Sequence, residues 1–114
     1  MADTTTDPKA PQASDSWIGK FVLVRCRDAG VHAGILKSHD ARACELTQSR
    51  RLWRWRVKGN KGITLSDVAT HGLDTKDTKL GAPVDMLLTE NCEIIACSPE
   101  AAENIAQFQT HVPQ

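Results

Sequence analysis

No stretch of the 114-residue sequence reaches the roughly 18 to 20 consecutive apolar residues that a membrane-spanning helix needs, so a transmembrane helix is excluded. Net charge is absent too: 14 basic and 14 acidic side chains cancel, which argues against a bulk polyanion binder while leaving local patches open. The first residues, MADTTTDPKAPQASDS, have neither a basic start nor an apolar stretch, so no secretory signal is expected. Four cysteines in that setting read as reduced thiols in a cytosolic protein. There is no glycine-rich phosphate loop and no pair of acids in a recognisable hydrolase setting.

The cysteines and histidines also lack the spacing of a metal site. Zinc ligands come in tight pairs separated by two to four residues. The one close pair, Cys92 and Cys97, has an odd offset on an expected strand, which puts the two on opposite faces. No metal and no cofactor are expected, and buried thiols acting as small hydrophobes are the default. Ser38-His39-Asp40 has the letters of a catalytic triad, but three consecutive residues diverge from a turn and form no relay. His71, at the end of an expected helix, suits a dipole contact as well as it suits catalysis. These features together predict a protein that is not an enzyme, with no catalytic residues.

What is present is a run of short strands. Residues 1–16 hold no large apolar side chain and read as a flexible tail; a single domain is expected over 17–110, with a short tail at 111–114. Trp17–Cys26 is rich in branched and aromatic residues, and four consecutive apolar positions from Phe21 to Val24 predict a strand covered on both faces. A turn at Asp28-Ala29-Gly30 leads to a second strand over Val31–Lys37, in which Gly34 marks a bulge or bend. After a turn at Ser38–Ala41, Ala43–Thr47 reads as a third strand and Arg51–Val57 as a fourth. In that fourth strand, alternation puts Trp53, Trp55 and Val57 on one face and Arg54, Arg56 and Lys58 on the other. A short helix over Leu65–Gly72, with Ser66 as its cap and Gly72 as its stop, is followed by a polar loop at 73–83. Met86–Thr89 and Cys92–Cys97 supply the last strand material, read as one bent strand. Ser98-Pro99 opens a C-terminal helix with Ala101, Ile105 and Phe108 along one stripe. About five short strands, one connecting helix and a C-terminal helix predict a mostly β domain, a small barrel of the SH3-like or Sm-like kind.

Charge is unevenly spread. Six basic residues and no acid lie between Leu46 and Ser66 (Arg50, Arg51, Arg54, Arg56, Lys58, Lys61), whereas Asp67 to the end carries eight acids and two lysines. A positive stripe of this kind is a solvated strand edge, an anion site, or one half of a self-association surface. Arg51-Leu52-Trp53-Arg54-Trp55-Arg56 is its most unusual segment. Its tryptophans either fill the barrel core or wall a site in which indole stacks on a base while guanidinium holds phosphate. The candidate ligand-binding residues are therefore Arg51, Trp53, Arg54, Trp55, Arg56 and Lys58.

Certain residues, in this order, resemble a family of small uncharacterised phage-encoded domains. They are Val24-Arg25 with Ala29-Gly30-Val31-His32-Ala33-Gly34, Arg50-Arg51-Leu52-Trp53-Arg54-Trp55, Leu65-Ser66-Asp67-Val68-Ala69 with Gly72, and Leu88-Thr89-Glu90 through Glu93-Ile94-Ile95-Ala96-Cys97. The likeness covers about residues 18–105. It departs after Trp55, where Arg56-Val57-Lys58-Gly59-Asn60-Lys61-Gly62 stands in place of a short acidic-glycine turn. The resemblance brings no assigned activity. It implies a phage accessory protein acting in the host cytoplasm, either sequestering a cyclic or modified nucleotide used as an immune signal or occluding a host protein. The leading expectation is an anti-defence binding protein, a homo-oligomer, for a nucleotide-like ligand. The alternatives are an inhibitor or structural component that binds a host or phage protein through its strand edge, and a single-stranded nucleic-acid-binding module.

Overall fold

The computed structural model describes residues 13–112. Six antiparallel strands form one strongly bent sheet: β1 (Phe21–Cys26), β2 (Val31–Asp40), β3 (Ala43–Arg54), β4 (Lys79–Leu80), β5 (Val84–Leu88) and β6 (Asn91–Ala96). Its order is β4-β3-β2-β1-β6, and β5 shares the outer edge of β3 with β4. Helix α1 (Leu65–His71) follows β3, and α2 (Pro99–Ala106) follows β6. The mostly β barrel-like architecture with two short helices is the one the sequence predicts.

β1 explains why the sheet can bend so far. Its side chains alternate between two apolar layers, so Val22, Leu23 and Val24 are buried on both faces, while Arg25 reaches solvent. Leu23 joins Ala33, Leu52, Val57, Leu80 and the helix residues Val68, Ala69 and Ile105 in one core. Val22, Val24 and Cys26 join Leu36, Cys44, Leu46 and Leu88 in the other. The four apolar residues in a row at Phe21–Val24 are the sequence form of that double burial.

β3 departs from expectation. The polar stretch around Gln48 suggests a break between two strands, but the chain runs on as one strand of 12 residues. The register with β2 steps from Thr47↔Ile35 to Arg50↔Ala33, three residues against two, and Gln48 takes a positive φ of 53°. This bulge switches which layer the even positions serve. Cys44 and Leu46 face one core, while Leu52 faces the other. Gly34 lies against the bulge: a Cβ there would meet the Cα of Ser49 and the carbonyl of Thr47, each at 2.9 Å. Gly34 therefore marks a close approach, with the extra residue in the opposing strand.

Other boundaries shift more modestly. β2 extends to Asp40, so the turn falls at Ala41 and not at Ser38. The expected loop at 73–83 contains β4, and the expected single last strand is two strands on different edges of the sheet. Helix α1 is capped by Thr64, not Ser66: its hydroxyl accepts from the Asp67 amide while the Asp67 carboxylate accepts from the Thr64 amide at 3.0 Å, a reciprocal capping box. Gly72 ends α1 as expected, with φ of 91°. The start of α2 is as read, with the Ser98 hydroxyl accepting from the Ala101 amide and Pro99 in the first turn. Ala13–Trp17 forms a 3-10 turn, so part of the expected tail before residue 17 has regular structure. The rest of that expected tail, residues 1–12, and residues 113–114 lie outside the described residues. The segment expected as a C-terminal tail is engaged at its start, where the His111 amide donates to the Leu80 carbonyl at 2.9 Å.

Candidate functional site

The end of β3 carries the basic–aromatic segment. Leu52, only 5% exposed, fixes the local phase: it points into the core, so Arg51 and Trp53 both point out. A second irregularity follows, with Leu52 opposite Leu80 but Arg54 opposite Lys79, two residues against one. The ladder ends there and the chain turns. As a result Trp53 and Trp55, although two residues apart, part company. Trp53 is 71% exposed, whereas Trp55 is half-buried against the helix-side core. The alternation expected for this segment, with both indoles on one face opposite the arginines, is corrected by this bulge.

The exposed indole has a cation against it. Lys79, reaching across from β4, places its Nζ 5.0 Å from the Trp53 ring centroid, within cation–π range. Arg51, on the outward face with Trp53, and Arg54, the Cα partner of Lys79, are both exposed. The exposed surface here therefore combines one accessible indole, the Lys79 ammonium against it, and two exposed arginines close by in the strand. Lys79 is the member that sequence reading missed, since it sits in a stretch of Lys, Asp and Thr with no strand pattern.

The remaining predicted residues lie elsewhere. Arg56 pairs with Asp77 at 3.7 Å and lines a hollow of about 710 Å³ with Gly59, Asn60, Asp74, Thr75 and Lys76. In that hollow the Asp74 carboxylate, its pKa lowered by the backbone amides of Lys76 and Gly59, already supplies the negative charge. Lys58 lines a separate hollow of about 820 Å³ bounded by α2, Thr75, Thr78 and the segment after α2. Neither hollow includes an indole. The six residues therefore do not converge on a single cavity within one chain.

Arg50, first of the two adjacent arginines, belongs to the core. It is 2% exposed and faces the helix side of the sheet. Its Nε donates to the Gly81 carbonyl at 3.0 Å, its Nη1 to the carbonyls of Ile105 (3.0 Å) and Phe108, and its Nη2 to the Thr110 hydroxyl at 3.0 Å. Burial lowers its pKa from the ordinary guanidinium value, and the four oxygens replace the lost water. Two of them belong to the final turn of α2 and the residues just beyond it, where the helix dipole favours a cation.

His32, fully buried on β2, has Val24 and Arg51 as its cross-strand neighbours. Its Nε2 lies 2.8 Å from the Ala29 carbonyl, which assigns the proton to that nitrogen, and Nδ1 is buried with no hydrogen-bond partner among the described residues. Burial pushes its pKa down, so the neutral ring is favoured. Among the described residues no group of three or more His, Cys, Asp or Glu side chains is placed to hold a metal ion. Nor is any helix there long and apolar enough to cross a membrane.

Fold and surface together define a small, mostly β, barrel-like domain carrying an exposed aromatic–basic segment. The chain belongs to DUF6948, a domain of unknown function whose family model matches residues 19–105. No curated protein matches the sequence. Among solved structures the chain is similar to a heptameric archaeal Sm protein, whose crystal structure was analysed for its implications for the eukaryotic snRNP core. The TM-score is 0.46 and the identity 18%, over 74% of this chain and 94% of that one.

Proposed function

We propose that this protein is a non-enzymatic binding module that takes an anionic, base-bearing ligand of the nucleotide class on the surface formed by Trp53, Arg51, Arg54 and Lys79. The observation that carries the reading is the 71% exposure of Trp53 with the Lys79 ammonium 5.0 Å from its ring, on a strand end that also exposes Arg51 and Arg54. An exposed indole offers a base roughly 1–3 kcal/mol of stacking without regard to its identity, and the neighbouring cations suit phosphate. Because this platform is open, a strand of successive bases fits it better than a mononucleotide that must be enclosed. Sequestration of a nucleotide-like immune signal by a phage accessory protein in the host cytoplasm is a second form of the same proposal. It requires a second wall, and another copy of the chain is the natural source.

Self-association is proposed on separate grounds. β5 pairs only with β3 and β6 only with β1 among the described strands, so each has an open backbone edge. β5 also exposes Val84 and Leu87, 49% and 63% accessible, and an unprotected apolar edge is a template for pairing. The protein-binding alternative rests on the same edges.

The test is fluorescence anisotropy with a labelled oligothymidylate across a salt series, alongside calorimetry with cyclic dinucleotides. Trp53→Ala is expected to weaken binding by about 1–3 kcal/mol for either ligand. Arg54→Ala is expected to flatten the salt dependence by roughly one phosphate contact. Absence of binding by both ligand classes, or a Trp53→Ala variant with unchanged affinity, overturns the proposal.

A further inference from the structure

The four thiols differ sharply in setting. Cys44 is 2% exposed and Cys97 half-buried, and burial pushes their pKa values up to about 11 and about 12, so neither offers much thiolate. Cys92 is exposed, and Cys26, 6% exposed, sits just inside it.

Cys26 and Cys92 meet at the irregularity in the β1–β6 ladder. Arg25 is opposite Glu93, but the next residue, Cys26, is opposite Asn91, so Cys92 is the extra residue of a bulge and has no cross-strand partner of its own. Two bulged residues then stand opposite the single residue Cys26. A cross-strand Cα partner lies about 4.5–5.5 Å away, and the next residue is one strand step further on. Cys26 and Cys92 are therefore about 6 Å apart at Cα, within the range that a disulfide spans. The thiols are also near enough to interact: after burial, Cys92 is the next cause raising the Cys26 pKa.

We propose that Cys26 and Cys92 form a peroxide-responsive dithiol that closes to a disulfide across the β1–β6 bulge. The exposed Cys92 reacts first. Its thiolate sulfur attacks one oxygen of hydrogen peroxide, the O–O bond breaks, hydroxide leaves, and Cys92 becomes a sulfenic acid. The Cys26 sulfur then attacks the Cys92 sulfur, the S–S bond forms, the S–O bond breaks, and the oxygen leaves as water. Overall, two thiols and one peroxide give one disulfide and two waters; the sulfurs lose two electrons and the peroxide gains them. The product links the first strand of the sheet to its last.

The experiment treats the full chain with equimolar hydrogen peroxide and follows it by intact mass, peptide mapping and non-reducing electrophoresis. The expected product is a monomeric chain lighter by two hydrogens, with a Cys26–Cys92 cross-linked peptide that dithiothreitol reverses. Cys44 and Cys97 should remain alkylatable only after denaturation. Cys92→Ser, at an exposed position that leaves the core intact, should abolish the mass loss, and Cys26→Ala should leave Cys92 to over-oxidise or form intermolecular links. The proposal is overturned by no reaction, by a Cys92–Cys92 dimer from the native sequence, by sulfinic acid at Cys92 with Cys26 still free, or by a link to Cys44.

Discussion

Adjacent arginines of the same type perform opposite tasks here. Arg51 projects into solvent, while Arg50 is buried and bonded to four oxygens from three segments. Replacing Arg50 by alanine leaves those oxygens without their donor and opens a gap beneath α2. Arg50→Ala is therefore expected to lower stability by about 3 kcal/mol or more in urea denaturation, whereas Arg51→Ala should change it by less than about 0.5 kcal/mol. His32 makes a second prediction at this scale. Because burial depresses its folded-state pKa below the ordinary 6.5, the unfolded chain takes up a proton that the native state resists. The His32 contribution is thus intact above about pH 6.5 and is lost as pH falls toward the depressed value. The urea midpoint should drop between pH 7.5 and pH 5; a midpoint flat over that interval contradicts the assignment. Neither role is visible in the letters: Arg50 reads as part of a basic run, and His32 as one of four scattered histidines.

Legibility improves where the signal is local. Both helices are readable because Gly72, Ser98 and Pro99 act within one turn, and capping chemistry needs no distant partner. β3 resists reading because its continuity is a tertiary fact. Gln48-Ser49-Arg50 has loop composition, yet Ser49 and Arg50 are buried, and the bulge keeps the ladder going. The same insertion sets the phase that turns Trp53 outward, so the candidate residues were identifiable by type while their facing was not. The prediction for this element concerns Gly34. An added methyl would meet backbone atoms at 2.9 Å, which cannot rotate away. Gly34→Ala is expected to cost about 1–3 kcal/mol by overpacking, measured as a lowered denaturation midpoint, despite the alanine being the better strand former. A neutral or stabilising result would show that the bulge yields easily.

For the molecule as a whole, the open edges of β5 and β6 and the cationic platform set how it meets others. The surface ion pairs Arg25–Glu93 at 2.9 Å and Arg42–Glu90 at 3.5 Å are exposed and contribute little to stability. Sedimentation velocity over a concentration series is expected to show species heavier than the 12.5 kDa chain. Leu87→Lys, which puts a charge on the β5 edge, should return the protein toward the monomer without unfolding it. A native chain that stays monomeric at high concentration removes the self-association proposal and leaves the single-chain platform to be judged alone.

The Arg50 contacts also bear on how the chain is made. Its partners at Ile105, Phe108 and Thr110 are translated 55 to 60 residues later, so during synthesis β3 holds a cation whose burial has nothing to offset it. The helix-side core can close only after residues 105–110 have left the ribosome, which makes its closure a late step in the folding of this domain.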